Sequence, residues 1–245
     1  QTLKPDYLVV FQNENHVNID HLKEKYDFIH VKSDYNTKYF GRFAYCFSFP
    51  VDICIVMDDD IIPGINCFKN YTDECLRLNS IIGGNGRNCF CNPGSAQNNN
   101  TLKQPNDVGI RNESILVDFV GHLWCFKKEW LHYMFSIKPH TYDTGEDMHL
   151  CFSSKIKGNI NSYVAEHKNN DEICDITHNK LANDIHASYK TTSNDFRLNI
   201  PNYYIENYFR IIISGLIDSH IFCEISDGKF IESHNLMNSK RCFAK

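Results

Sequence analysis

Apolar and polar residues alternate along the first part of the chain in blocks that predict strands and helices in turn. Apolar runs at 7–11, 27–31 and 53–57 predict strands, and helical spacing between them predicts helices over 19–26 and 41–49. Strands that alternate with helices are typical of a parallel sheet covered by helices. We therefore predict an α/β fold with a Rossmann-like, mostly parallel sheet.

The same rhythm continues further along the chain and changes near residue 195. We expect helices over 66–80 and 144–157 and a further helix that ends at 135. We expect one strand that begins at 81 and two more over 115–120 and 160–164. After an irregular segment at 171–192, an apolar helix over 203–217 and an Asp-Gly turn at 227–228 predict a small helix-plus-hairpin unit. We therefore divide the chain into a main domain, residues 1–195, and a C-terminal appendage, residues 196–245.

Two stretches rich in small and polar residues interrupt this pattern. Residues 83–86 read Gly-Gly-Asn-Gly, but they lack the Lys-Ser/Thr of a phosphate-binding loop and the spacing of a dinucleotide fingerprint. We interpret them as a close approach of backbones. Residues 92–113 are heavy in Asn, Gly, Pro and Gln and predict a long surface loop, which is either a lid over a functional site or a disordered segment.

Three consecutive carboxylates follow the apolar run at 53–57. Asp58, Asp59 and Asp60 are expected at the carboxyl end of a buried strand, where open α/β sheets bind ligands. Side chains alternate along an extended chain, so Asp58 and Asp60 point to one side and can share a cation such as Mn²⁺ or Mg²⁺. The alternative is a solvated turn or helix cap near Pro63, which has no need of three adjacent like charges.

Composition and charge limit the possible partners. The chain of 245 residues has a formal net charge of -5, and its basic residues are spread, so we expect no nucleic-acid partner. No apolar run approaches the ~20 residues of a membrane span, and the first residues do not resemble a signal peptide. The eleven cysteines lie within apolar segments, as buried free thiols do. We expect a cytoplasmic protein, with the lumenal domain of a longer protein as the alternative.

The acidic strand is part of an ordered set of motifs that resembles a known enzyme family. The set consists of Asp58-Asp-Asp60 with Pro63-Gly64, Val120-Gly-His-Leu-Trp124 and Gly145-Glu-Asp-Met-His149. It resembles the family-2-like inverting glycosyltransferases with the A-type nucleotide-sugar-binding fold, over roughly residues 1–190. The resemblance implies a nucleoside-diphosphate sugar donor (a UDP-sugar on family grounds), a divalent cation on its diphosphate, and a carboxylate that deprotonates the hydroxyl of a glycan or other acceptor.

One departure from the family concerns the start of the chain. Members usually begin with a strand and a helix whose loop holds the nucleotide base, whereas the segment before Tyr7 resembles the approach to their second strand. The first β-α unit is therefore absent from this sequence. Either the numbering starts inside a longer protein or the base is bound differently.

Two acidic residues at the start of a predicted helix are our candidates for catalysis. We expect Asp147 to act as the general base and Glu146 to position the acceptor. The competing explanation is a capping box, in which Thr144 caps the helix and Asp147, at the third position, reaches back to a backbone N–H. Capping does not account for Glu146, nor for Gly145, which lets backbone or substrate approach the helix start.

Five further residues are assigned to donor or acceptor binding. Arg42, at a helix start, could pair with a diphosphate, although a surface helix residue is the commoner case. Gly121, His122 and Trp124 are expected to line the sugar and acceptor pocket, where Trp124 offers an apolar face and an N–H donor. The alternative for Trp124 is a place in the core. Asp59, which faces away from its neighbours, is grouped with these contacts.

A third metal ligand is expected from the irregular segment. His178 follows the last core strand, where A-type transferases often return a histidine to the metal. Together with Asp58 and Asp60 it would give a site of oxygens and an imidazole, which favours Mn²⁺ over Mg²⁺. The chain has twelve histidines, so a chance candidate is also easy to find.

Two other functions compete with glycosyl transfer. Asp58-x-Asp60 also resembles the motif of haloacid-dehalogenase-like phosphohydrolases, in which the first Asp attacks phosphorus, but that motif is expected on the first strand and here at least two strands precede it. A non-catalytic sugar- or nucleotide-binding module is the other alternative. Binding without turnover would identify it.

Overall fold

The computed structural model describes residues 1–14, 16–89, 102–106, 109–176, 199–201, 203, 204, 207, 223–226 and 229–232. The strands within these residues are β1 (Val9–Asn13), β2 (Ile29–Ser33), β3 (Ile53–Met57), β4 (Ile81–Cys89), β5 (Leu102–Asn106), β6 (Ile115–Val117), β7 (Phe119–Lys127), β8 (Ser162–Val164), β9 (Cys223–Ser226) and β10 (Lys229–Glu232). The α-helices are α1 (Asp20–Lys23), α2 (Gly41–Tyr45), α3 (Cys67–Leu78), α4 (Leu131–Ser136) and α5 (Glu146–Gly158), and 3₁₀ turns cover Cys46–Ser48, Lys128–Trp130 and Asn170–Glu172.

The main sheet is mixed, with helices packed against it, so the α/β class predicted from the sequence is confirmed. Strands β3, β7, β4, β8 and β6 lie side by side in that order, and β5 pairs with β4. Only the β4–β8 pairing in this described sheet is parallel. The expected mostly parallel sheet is therefore not what forms. The long β7 runs antiparallel between β3 and β4, and an apolar strand pattern carries no information about direction.

Strands β1 and β2 form a separate parallel pair, with Val9 opposite Ile29. Helix α1 lies between them in the chain, so the β-α-β unit expected at the start of the sequence is present. Both strands are at best partly buried. They form their own two-stranded sheet in the described structure rather than extending the main one.

The core of the protein extends past the predicted domain boundary at residue 195. Its largest fully buried side chains include Tyr71, Phe126 and Leu150, and also Ile200 and Tyr204, which are 2% and 0% exposed. Ile200 and Tyr204 belong to the same hydrophobic cluster as the sheet residues. These two residues of the predicted appendage are thus part of the main core.

The glycine-rich start of β4 allows close packing, as expected. A β-carbon built on Gly83 would lie 2.2 Å from the β-carbon of Val120, and one on Gly84 would lie 2.0 Å from the sulfur of Cys174. Real β-carbons do not come this close to other atoms. Side chains from both neighbouring segments therefore occupy the space that larger residues in β4 would need.

Part of the predicted surface loop at 92–113 forms regular structure. Strand β5 pairs antiparallel with β4, and Arg111 forms an isolated bridge with His167. The rest of that loop up to residue 108 lies outside the described residues, so its role as a lid stays a prediction. The strand pairing of the predicted C-terminal hairpin is confirmed, because β9 and β10 pair antiparallel with Ser226 opposite Lys229. The predicted turn at 227–228 and most of the predicted helix over 203–217 lie outside the described residues.

Two global features bear on the expected environment. The cysteines whose state the structure describes are free thiols, and all of these except Cys46 are buried. No helix in the described part of the chain combines the length and the apolar character that a membrane-spanning helix needs.

Candidate functional site

The acidic triplet lies where β3 ends, beside the start of β7. The pairing of the two strands continues one residue past β3, because Asp58 donates its backbone N–H to the carbonyl oxygen of His122 at 2.9 Å. Asp58 and Asp60 are partly buried, whereas Asp59 is exposed. Asp59 and Asp60 lie in a turn rather than in an extended strand, so the alternation expected of a strand does not explain this difference.

Asp58 and Asp60 are close enough for their charges to interact. Burial raises the pKa of Asp60 above its usual value and the charge of Asp58 raises it further, whereas His122 opposes the shift. A divalent cation would relieve this repulsion, and carboxylate oxygens are ligands that Mn²⁺ and Mg²⁺ accept. No three His, Cys, Asp or Glu side chains among the described residues are grouped closely enough to hold a metal ion. The two carboxylates are therefore at most part of a ligand set.

The chain that leads to His178 passes next to this triplet. Gly64 donates its backbone N–H to the carbonyl oxygen of Ile173 at 2.8 Å, and Ile176 donates its own to the carbonyl oxygen of Ile62 at 2.9 Å. Ile176 is the last described residue before a gap that includes His178. His178 itself lies outside the described residues, and its role as a ligand stays a prediction.

The start of α5 differs from the capping box considered for it. The N-cap residue is Gly145, with φ of 78°, and no side chain makes a capping hydrogen bond there. Thr144 therefore does not cap the helix, and that interpretation is wrong. Asp147 instead accepts the backbone N–H of the next residue, Met148, at 2.7 Å. Gly145 is needed because its φ is positive and because a β-carbon would lie 2.5 Å from Cδ1 of Ile200.

Arg42 joins the two acidic regions. Its guanidinium donates to Asp58 at 2.5 Å and to Glu146 at 2.8 Å. It also lies over the ring of Trp124, with 4.7 Å from the guanidinium carbon to the ring centroid, a favourable cation–π arrangement. Two carboxylates that are far apart in the sequence are thus bound by the two terminal nitrogens of one planar cation.

Burial and charge act differently on the members of this cluster. Burial disfavours the charged guanidinium of Arg42, but Asp58 and Glu146 outweigh it and raise its pKa, so the cation persists. Burial raises the pKa of Glu146 to about 7, and the neighbouring Asp147 adds to this shift while Arg42 opposes it. Glu146 therefore titrates near neutral pH, although it is paired with a cation.

The three predicted pocket residues of β7 have different surroundings. Trp124 is 2% exposed, and its indole N–H donates to the carbonyl oxygen of Val120 at 2.7 Å. This donor is therefore already used, and the position fits the core alternative. The sequence suggested that the strand ended before Trp124, but β7 continues through it. His122 has a positive φ of 67°, and Gly121 has open space on the side where a β-carbon would stand.

A row of polar and small residues crosses three strands at the level of Asp58. Asp58 bonds through its backbone to His122 on β7, and the residue before His122, Gly121, pairs with Asn85 on β4. Asn85 was interpreted from the sequence only as part of a close backbone approach. The sequence signal that could have marked Asn85 is that glycines flank it, which leaves its amide as the only functional side chain of residues 83–86.

Comparison of the chain with models of protein families gives no match, and no curated protein matches it either. The functional interpretation therefore depends on the residues and geometry of this cluster.

Proposed function

We propose that the protein is a metal-dependent glycosyltransferase that moves a sugar from a nucleoside-diphosphate sugar, a UDP-sugar in our proposal, to an acceptor hydroxyl with inversion. One observation carries the proposal: Arg42 bonds to both Asp58 and Glu146. The carboxylates suited to a cation and those suited to a proton transfer therefore meet at one edge of the sheet. Inverting transfer needs both within reach of one substrate.

Asp58 and Asp60 would hold the cation. Bound there, Mn²⁺ or Mg²⁺ supplies positive charge to the diphosphate leaving group. The two carboxylates suit this role because they are partly buried and already repel each other. Asp59 is exposed and is not needed for it.

Asp147 would take the proton of the acceptor hydroxyl. It stands at the second position of α5 and keeps one oxygen on the backbone of Met148, which fixes the orientation of its carboxylate. The helix N-terminus favours the charged form and so weakens the base, but the neighbouring charge of Glu146 acts in the opposite direction. A base needs such a balance to be ionised before the reaction and protonated after it.

Glu146 and Arg42 would support these groups rather than contact the acceptor. Glu146 is 9% exposed at its side chain, and its carboxylate is used by Arg42. We therefore assign Glu146 to the positioning of Arg42, instead of the acceptor as the sequence suggested. The Nε atom of Arg42 is buried and has no hydrogen-bond partner among the described residues. A diphosphate oxygen is a chemically suitable partner for it.

Calorimetric titration of UDP, with and without Mn²⁺, tests the cation and donor sites together. The wild type should bind UDP in a Mn²⁺-dependent way, Asp60→Asn should lose that dependence, and Asp59→Asn should retain it. A UDP-sugar hydrolysis assay on the same samples should show turnover that EDTA removes.

Three results would contradict the proposal. Undiminished turnover in EDTA or in Asp60→Asn would remove the cation from the mechanism. Tight binding without turnover of any UDP-sugar would favour the non-catalytic module. An acid-stable phosphate on Asp58 after incubation with a phosphorylated substrate would favour the phosphohydrolase.

A further inference from the structure

Asn85 takes no part in the proposed mechanism. It lies on β4 opposite Gly121 of β7, and paired residues on neighbouring strands point to the same face of the sheet. Gly121 adjoins His122, whose carbonyl oxygen accepts the backbone N–H of Asp58. Asn85 therefore lies one strand beyond the residue that bonds to Asp58.

The side chain of Asn85 is buried without being satisfied. It is 9% exposed, and its Oδ1 atom has no hydrogen-bond partner among the described residues. A buried amide without a partner is unfavourable, so most buried polar groups in proteins find one. An unpaired amide in a buried position is expected where a ligand or a water supplies the partner.

Open space lies next to this amide. A β-carbon built on Gly121 would have no described atom within 4 Å, apart from its own neighbours in the chain. Gly121 also has an ordinary φ, so the chain conformation does not require glycine there. The absence of a side chain at 121 thus leaves room beside Asn85 that the local backbone does not explain.

The adjoining residue shows that the strand is distorted at this point. The pairing of β4 with β7 shifts register between Gly83 and Asn85, as at a β-bulge or a similar irregularity, and His122 has a positive φ of 67°. Non-glycine residues rarely adopt this conformation, and bulges often redirect side chains next to binding sites. The Nδ1 atom of His122 is also buried without a described partner. Two unsatisfied polar atoms therefore belong to residues that adjoin Gly121, Asn85 as its pairing partner on β4 and His122 as the next residue on β7.

We propose that Asn85 is a sugar-recognition residue, which hydrogen-bonds a hydroxyl of the donor sugar in the space over Gly121. This inference rests on the proposed function, because it takes the ligand to be a nucleotide sugar. The donor sugar is bonded directly to the diphosphate. Asn85 is two strand spacings, or ~10 Å, from Asp58, a separation that a sugar bonded to a cation-bound diphosphate can span. An asparagine side chain can both donate to and accept from a hydroxyl.

Two substitutions test the site from different sides. Asn85→Leu keeps the branching of the side chain and removes the polar atoms, and Gly121→Val fills the space. Binding of UDP alone and of UDP-glucose, UDP-galactose and UDP-N-acetylglucosamine is measured by calorimetry with Mn²⁺ for each protein. Both variants should bind UDP as the wild type does and bind the preferred UDP-sugar about tenfold more weakly, the loss expected for one net hydrogen bond.

Melting temperature separates recognition from a structural role. Asn85→Leu should melt at or above the wild-type temperature, because an unsatisfied amide is removed. The same change at Asn70, whose Nδ2 donates to the carbonyl oxygen of Glu166 at 2.7 Å, should lower the melting temperature and leave UDP-sugar binding intact. Gly121→Ala should melt as the wild type, since its β-carbon meets no described atom.

The outcomes distinguish this inference from the function it rests on. If the wild type gains affinity from the sugar and both variants keep that gain, Asn85 does not recognise the sugar, and the donor proposal stands. A lower melting temperature in Asn85→Leu with unchanged binding makes Asn85 a structural residue. If the wild type binds neither UDP nor any UDP-sugar, the donor proposal fails, and the inference falls with it.

Discussion

The end of β3 and the start of α5 carry the same chemical group in two different environments. The side chain of Asp58 is 31% exposed, whereas that of Glu146 is 9% exposed, and both bond to Arg42. Burial is the largest cause of the pKa shift of Glu146, which reaches about 7. One carboxylate region stays partly hydrated and is suited to an exchangeable cation. The other, at Glu146, is dry, and this raises the pKa of the carboxyl placed there.

Position, rather than residue type, separates the two roles. The sequence shows two acidic clusters of similar appearance. The strand end leaves its side chains at an edge of the sheet, while the first turn of α5 is covered by Ile200 and by the guanidinium of Arg42. Substitutions at and around the first turn of α5 test whether the two acidic clusters differ in this way.

The largest effect is expected at the helix start, in Asp147→Asn. The variant should transfer sugar at least ~100-fold more slowly, the low end of the range for loss of a general base. It should bind UDP and Mn²⁺ normally and melt near the wild type, because an asparagine oxygen can still accept the N–H of Met148. Asp143→Asn, at an exposed position four residues earlier, is the control and should transfer at the wild-type rate. Near-normal transfer by Asp147→Asn would leave Asp147 with a structural role at the helix start.

Glu146→Gln should change the pH dependence of stability. The folded-state pKa of Glu146 is raised from 4.5 to about 7, so its contribution is fully present below pH 4.5 and is lost as the pH rises through 7. The free energy of unfolding of the wild type relative to the variant should therefore fall between pH 4.5 and 8 by up to roughly 3 kcal/mol. Urea unfolding at several pH values measures it.

The wild type and Glu146→Gln are compared by the difference in their free energies of unfolding, because His149 and His167 titrate in both proteins. Their pKa values are lowered by burial to about 4, which makes both proteins less stable as the pH falls below 6.5. Glu24→Gln, on the exposed end of the short α1, is the control and should follow the wild-type profile. Parallel profiles for the wild type and Glu146→Gln would show that Glu146 is not held in a dry environment.

Arg42→Gln should have an intermediate effect on stability at pH 8. It leaves Glu146 buried without its cation, and removal of one partner from a fully buried pair costs ~3–5 kcal/mol. Because the side chains of Arg42 and Asp58 are 20% and 31% exposed, we expect the free energy of unfolding to fall by about 2 kcal/mol. Urea unfolding measures this loss. The double variant with Glu146→Gln should recover part of this loss, and strict additivity of the two changes would argue against a direct coupling.

The smallest effect is expected from Thr144→Val, which tests the capping box directly. Thr144 makes no capping hydrogen bond, so the change should alter the free energy of unfolding by less than ~0.5 kcal/mol. Asn169→Ala is the comparison, because the Asn169 side chain accepts the backbone N–H of Asp171 as a true cap, and its loss should cost ~1 kcal/mol. A loss of that size in Thr144→Val would restore the capping box.

Local features of the fold could be predicted from the sequence, and long-range ones could not. The strand Ile53–Met57 was expected with the observed bounds, and α5 was expected within one or two residues, because an abrupt end to an apolar run and a regular helical spacing are local signals. No local sequence signal indicates the direction of β7. Trp124 was expected in a pocket after the strand, but β7 continues through it and the residue is buried in the core.

The candidate site was predictable as two halves. Each acidic cluster could be found from its own few residues, but Arg42 is 16 residues from Asp58 and 104 from Glu146 in the chain. Only tertiary packing shows that one guanidinium serves both. Asn85 escaped notice for a related reason, since an unsatisfied amide is visible only when its surroundings are known.

The contact between Gly145 and Ile200 has a consequence for how the protein can be shortened. Ile200 fills the space over the first turn of α5, and Tyr204 hydrogen-bonds the buried His149 on the same helix. A version that ends at residue 195 would uncover both positions and leave His149 without its hydroxyl partner. The smallest unit able to fold around Glu146 and Asp147 therefore includes the chain through at least residue 204, and expression trials should place the terminus beyond it.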